Sequence, residues 1–316
     1  MMRARVHSLL LLVMLAVAPV IPAAAQEHPK PNAADIIMPH ITDAHHMEVP
    51  CIKFRGGSVT QLACELHLPQ WEPIHIGGLT IDLSPTKHVV MMLVVAVLLV
   101  IVMFIAARDH ARDHAAGKAP RGAANIIEAM ILYLRNEIIL RNVGPHGQAF
   151  VPFLLTLFFF ILFSNSIGLL PYGATPTGNI AVTATLAAIT FVVIEIAGMR
   201  ALGWGYINTI IYWPHDMPLY MKLPLSIILT PVEIIGKFTK PFALTIRLFA
   251  NMTAGHVVVL AFIGMIFTFG SWLVLPGPLL MAIGIMLLEV LVAFIQAFIF
   301  TLLASVFIGQ IRTAHH

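Results

Sequence analysis

The residues that stand out in this sequence are polar side chains lodged in apolar stretches. Arg247 has Ile246 before it and Leu248-Phe249 after it. Asn251 and His256 follow in the same run, and Glu289 and Gln296 sit in the next. A charge in hydrocarbon costs at least about 2.5–3.5 kcal/mol, so such residues face protein, water or a partner and mark function. A guanidinium keeps its proton at any accessible pH. Arg247 therefore suits a fixed electrostatic task, holding a partner's carboxylate deprotonated by proximity. Histidine and glutamate instead titrate within reach and pass protons through water. A permanent cation beside a titratable pair suits a path on which no proton crosses the cation alone. It must ride on something that moves.

Periodicity decides which of these residues share a face. Glu289, Gln296 and Gln310 are seven and fourteen residues apart, which puts them on one side of a helix. Arg247 and Asn251, four apart, also share a side. His256 lies nine residues beyond the arginine and points the opposite way. Folding the chain at its Gly270–Pro278 turn sets Arg247 level with Gln296, His256 level with Glu289, and Glu233 level with Gln310. The expected geometry has Arg247 facing one neighbour while His256 meets Glu289 across a separate polar cleft.

The elements that must hold these residues are membrane helices. Of 316 residues, 59% are hydrophobic and only 10% charged, with a mean hydropathy of +0.90. That is too little charge to solvate a globular surface, so the class is a polytopic membrane protein. The net charge of +3 is small and gives no nucleic-acid footprint. Apolar runs predict spans at about 88–107, 150–170 and 180–199, followed by two overlong stretches, 241–269 and 279–311. At 1.5 Å per residue the last two reach about 43 and 50 Å against about 30 Å of hydrocarbon. Such lengths call for strong tilt. The fold class expected is thus all-α, with about five membrane helices and the last two a long tilted hairpin. Ile126, Ile127, Met130, Ile131, Leu134, Ile138 and Ile139 recur at helical spacing in the charged connector and predict an interfacial amphipathic helix.

Ahead of these lies a different kind of sequence. Residues 1–25 carry Arg3 and Arg5, an apolar core and Ala23-Ala24-Ala25, the pattern of a cleavable secretory signal. Residues 26–86 are His-rich and broken by Gly56-Gly57 and Gly77-Gly78, as in a small exported strand-and-turn module. Cys51 and Cys64 lie within it. A disulfide, free thiols, or a weak metal site with His45, His46 or His67 remain open there. Residues 87–316 form the membrane domain, with the polar hairpin at about 219–312. Basic residues concentrate in the 108–148 connector and the 200–222 loop, which places those loops inside and the N-terminal segment outside.

Leu244-Thr245-Ile246-Arg247-Leu248-Phe249-Ala250-Asn251-Met252-Thr253-Ala254-Gly255-His256 resembles the signature of subunit a of F-type ATP synthases. So do Gln296-Ala297-Phe298-Ile299-Phe300 and the run from Leu155 through Asn165 to Pro171. The resemblance covers roughly residues 84–312. It implies a non-catalytic, proton-conducting stator without cofactor or metal, in a bacterial inner membrane with the C-terminus cytoplasmic. Its partners would be a ring of c subunits, the b subunits of a peripheral stalk, the rest of the complex and membrane lipid. Two aqueous half-channels would load and unload the ring carboxylates. Arg247 matches the essential arginine facing the ring, and His256 with Glu289 the acid/base pair of the outer half-channel. Their order along the chain is reversed relative to many bacterial relatives. Asn251 and Gln296 match polar positions near the arginine. Glu233 and Lys240, with Gln310, match the inner half-channel. Gly168 stands where many members carry an acid, so Asn165, Asn179 or Glu195 is expected to serve the outer one.

Other functions leave different marks. A self-contained secondary transporter with a midplane site predicts an internal repeat, whereas the polar residues here crowd into the last third. A membrane hydrolase predicts a metal-ligand helix motif or a serine–histidine pairing, and neither is present in the sequence.

Overall fold

A computed structural model describes residues 42–313 apart from 56–57, 77–78, 83, 116–121, 171–172, 212–217, 270 and 272. The signal-like residues 1–25 lie outside the described residues. Two small antiparallel hairpins come first: β1 (His46–Arg55) with β2 (Ser58–His67), and β3 (Ile74–Ile76) with β4 (Leu79–Ile81). Val49 stands opposite Cys64, and Cys51 falls in the irregular stretch between Pro50 and Lys53. The two cysteine side chains lie outside the described residues.

Six helices follow. They are α1 (Lys87–Ala115), α2 (Ala123–Tyr133), α3 (Val151–Gly168), α4 (Ile180–Leu202), α5 (Leu219–Phe269) and α6 (Pro276–Thr313). Five of the described helices are long and apolar enough to cross a membrane. The protein is an all-α polytopic membrane protein carrying a small strand module ahead of its helices.

The core lies around α3 and the second half of α6. Leu154, Phe158 and Ile161 on α3 meet Ala297, Phe300, Ala304 and Ile308 on α6, all fully buried. Without a hydrophobic drive between helices in lipid, close approach through small residues takes over. Ala293, Ala297, Ala304, Ser305 and Gly309 supply it along one face of α6. At Gly309 the approach is closest, for a Cβ there would collide with the backbone oxygen of Asn142.

Two elements differ from the sequence expectation. The connector helix α2 continues through a wider π-helical stretch, Leu134–Ile139, into a last turn at Leu140–Val143. Leu134, Ile139 and Val143 are buried in the core. The deeper part of its apolar face therefore packs on the protein's own helices, while Ile126 from that same face stays exposed with Leu132 and Tyr133. Gly144, at φ 77°, then turns the chain, a left-handed conformation that suits glycine. The other difference is α5, which does not begin at Pro241 but runs for 51 residues through Pro224, Pro231 and Pro241. Proline is tolerated in membrane helices where neighbours re-satisfy the freed carbonyls. At 1.5 Å per residue α5 is about 76 Å long and α6, with 38 residues, about 57 Å. Neither stands upright in about 30 Å of hydrocarbon.

Candidate functional site

Helices α5 and α6 pack as an antiparallel pair, and their polar residues sort into three places. At the level of Glu289, His256 Nδ1 lies 2.9 Å from Glu289 Oε1. Glu289 is 4% exposed, a depth at which a carboxylate needs a partner. Gly255 makes the room: a Cβ there would sit 2.5 Å from Glu289 Oε1. The far side of the imidazole is also engaged, with Nε2 3.4 Å from Thr175 Oγ1. Thr175 belongs to the loop between α3 and α4 and packs on Gly168, where any side chain would strike its hydroxyl. Glycine at position 168 thus admits a threonine that reaches His256.

The same loop gathers the asparagines. Thr177 donates to Asn165 Oδ1 at 2.6 Å, while Asn165 Nδ2 is buried without a partner among the described residues. Asn179 accepts from the Ala181 amide at 2.9 Å and so caps α4. Such a cap is worth about 1 kcal/mol. Thr175 and Asn179, with the contacts to His256 and Asn165, therefore lie along the polar stretch of one loop.

Glu195 is elsewhere. Its Oε2 accepts from Lys237 Nζ at 3.2 Å, with the two side chains 16% and 12% exposed. It pairs neither with Arg200 at the end of its own helix nor with the asparagines. Lys237 also donates to Tyr206 Oη at 3.3 Å and Thr209 Oγ1 at 3.2 Å. A cavity of about 230 Å³ brings this pair together with Glu233, Lys240 and Gln310. Glu233 and Gln310, expected level with each other, share that cavity without a direct hydrogen bond between them among the described residues. The reason for Glu195's placement is the length of α5: its added N-terminal part carries Lys237 back against α4.

Arg247 occupies the third place. The expected neighbour Gln296 is taken by Asn251, whose Nδ2 donates to Gln296 Oε1 at 3.1 Å. Gln296 is buried at 2% exposure, so its amide needs that bond. Arg247 is exposed and has no hydrogen-bond or ion-pair partner among the described residues. It lines an open groove of about 520 Å³ with Gly236, Thr239, Ala243 and Leu303. Gly236, Ala243 and Ala250 recur every seven residues on this side, and a Cβ at Gly236 would meet nothing within 4 Å. Lys240, Leu244 and Phe307 line both the groove and the Glu233 cavity, so the two adjoin.

Sequence reasoning left Thr175, Tyr206 and Thr209 aside. They sit in connecting segments without periodicity, and only folding sets them beside a titratable group. Lys237 is a basic residue in an apolar run, and only the fold sets it against Glu195.

A family model described as ATP synthase A chain matches residues 89–309. The ATP synthase subunit a of Chloroherpeton thalassium is 46% identical over 246 residues, 78% of this chain and 70% of the relative. That of Anaeromyxobacter dehalogenans is 43% identical over 282 residues, 89% of this chain and 71% of the relative. An ATP synthase subunit a 2 of Chlorobaculum tepidum is 42% identical over 294 residues, 92% of this chain and 76% of the relative. The matched region contains Arg247, His256, Glu289 and Gln296, and on these matches the chain belongs to the ATP synthase A chain family.

Proposed function

We propose that this chain is the proton-conducting stator of an ATP synthase membrane sector, working against a ring of c subunits and alongside peripheral-stalk b subunits. Protons reach the ring through an outer half-channel built on His256 and Glu289, with Thr175, Asn165 and Asn179 along its wall. They leave through an inner half-channel at Glu233, Lys240 and Gln310, with Glu195 and Lys237 beside them. Asn251 and Gln296 brace the hairpin between the two. The N-terminal segment faces outward and the C-terminus inward, and the chain itself catalyses no bond chemistry.

The observation that carries this reading is Arg247. Glu289 and Glu195 are paired with His256 and Lys237, whereas the arginine is exposed beside an open groove edged by small residues. A fixed cation there attracts a passing carboxylate and holds it deprotonated, so a ring carboxylate sheds its proton before crossing. The potential driving each proton is about 2.3 kcal/mol per 100 mV. The excess length of α5 and α6 fits helices lying slanted along a curved ring.

The test is ATP-driven proton pumping and ATP synthesis in membrane vesicles. Arg247→Ala is expected to abolish coupling in a fully assembled complex. Arg247→Lys is also expected to fail, because an ammonium is a compact charge whose pKa shifts with its surroundings. Wild-type pumping by the lysine variant overturns the electrostatic argument.

A further inference from the structure

The segment preceding β1 makes contacts that the path described above does not use. Asp43 lies on it, and its carboxylate oxygens reach two different helices. Oδ1 is 2.9 Å from His88 Nδ1, in the first turn of α1, and Oδ2 accepts from Asn179 Nδ2 at 2.9 Å. The His88 side chain is 4% exposed and that of Asp43 32%. The pair thus joins a buried imidazole to a carboxylate in contact with the surface. Backbone bonds from Lys87 to Ala44 and from Leu68 to His45 hold the segment down.

Asn179 ends a loop whose alternate side chains reach three polar partners. Thr175 meets His256, Thr177 meets Asn165, and Asn179 meets Asp43. Asp43 is therefore one loop away from the His256–Glu289 pair. Among the described residues, the charged and titratable groups around the pair are His88 itself and the buried Lys87, both from α1. Asn179 brings no charge. His45, on Asp43's own segment, lies near Asp82. Ser84, through its side chain and its backbone, holds the Asp82 carboxyl below the usual carboxylate range, and His45 adds a smaller contribution.

We propose that Asp43 and His88 form the outer proton-exchanging pair of this subunit, taking protons from bulk water and delivering them to the polar stretch that ends at His256 and Glu289. The proposal rests on the half-channel reading above and extends it to the N-terminal segment. A carboxylate hydrogen-bonded to an imidazole gives a pair of groups that can take up a proton on one side and release one on the other. A proton taken up from the outside and released to water on the loop side leaves both groups as they began. No redox or covalent step is involved. A clamp that merely held the loop would make the same contacts, but it would not respond to external pH.

The experiment measures ATP synthesis by the assembled complex in proteoliposomes against the pH of the proton-source compartment. Wild type, Asp43→Asn, Asp43→Glu and His88→Gln are compared at equal content of assembled complex. Asp43→Asn and His88→Gln are expected to run several-fold slower at mildly alkaline source pH and to converge on wild type in acid, where protons are plentiful. Asp43→Glu is expected to keep the wild-type profile. Wild-type profiles in both neutral variants overturn the proposal, and so does a loss that is equal at every pH. If Asp43→Asn does not assemble, His88→Gln decides by the same two outcomes. Arg247→Ala in the same assay separates the two readings. Abolished synthesis there with wild-type profiles in Asp43→Asn and His88→Gln overturns this pair alone, whereas retained coupling in Arg247→Ala overturns the stator reading itself.

Discussion

Lys237 and Glu195 show how much a single buried pair constrains its surroundings. Both side chains are largely buried, and the ammonium is shared among a carboxylate and two hydroxyls. Removing one member of such a pair costs about 3–5 kcal/mol, because the other charge is left uncompensated. Replacing both by apolar residues is often neutral. Lys237→Met is therefore expected to lower the temperature at which the purified complex loses this subunit, and Lys237→Met with Glu195→Leu to restore it. If the pair also serves the inner path, the double variant will be stable yet slow in proton pumping. Recovery of both properties would assign the pair to structure alone. Gly255 and Gly168 act at the same scale, each giving room for a neighbour of His256.

At the scale of elements, α6 decides how the bundle closes. Its small residues admit α3 and α2, and its last turn is tied down by Arg312. That guanidinium donates to Val143 O at 3.0 Å and Pro145 O at 2.6 Å, the first a helix-end carbonyl without a helical partner and the second just beyond the Gly144 turn. Gly309 lies one turn before it. Gly309→Val drives a side chain into the Asn142 backbone, which cannot rotate away as a side-chain tip can. Overpacking of this kind costs about 1–3 kcal/mol. The expected result is a lower membrane content of the subunit by immunoblot. Gly284→Ala is the control: a Cβ there meets nothing within 4 Å, and alanine in a helix gains about 0.5–1 kcal/mol over glycine. Equal membrane levels for the two variants would rule out close packing at Gly309 as the cause.

For the whole molecule, the question is which side a partner covers. Apolar residues are exposed over much of α1 and along α5 and α6, among them Val100, Phe104, Phe242, Leu287 and Leu291, as expected of a lipid-facing surface. Exposure alone does not separate lipid from protein contact. The groove beside Arg247 differs in having small residues and a charge, and a helix approaches closely only across small residues. On the proposed stator reading, a cysteine at Ala250 is therefore expected to cross-link to the carboxylate-bearing helix of a c ring, and one at Leu287 is not. The reverse pattern would place the ring on another face.

Much of this protein was legible in its sequence, for physical reasons. Long apolar runs admit only helices in lipid, so span number and class followed from composition. The helical period and the hairpin turn brought His256 to Glu289, because a rigid helix leaves few ways to align two deep polar residues. Arg247 stood out by the cost of its charge. What needed the tertiary structure was everything set by contact between non-periodic segments or by a choice between equivalent partners. Asn251 rather than Arg247 takes Gln296, since residues four apart share a helix side and only packing selects between them. Glu195 meets Lys237 because α5 runs through its prolines, which local sequence rules would read as breaks. Thr175 and Asp43 reach their histidines from loops, where no period marks direction and only the folded chain fixes it.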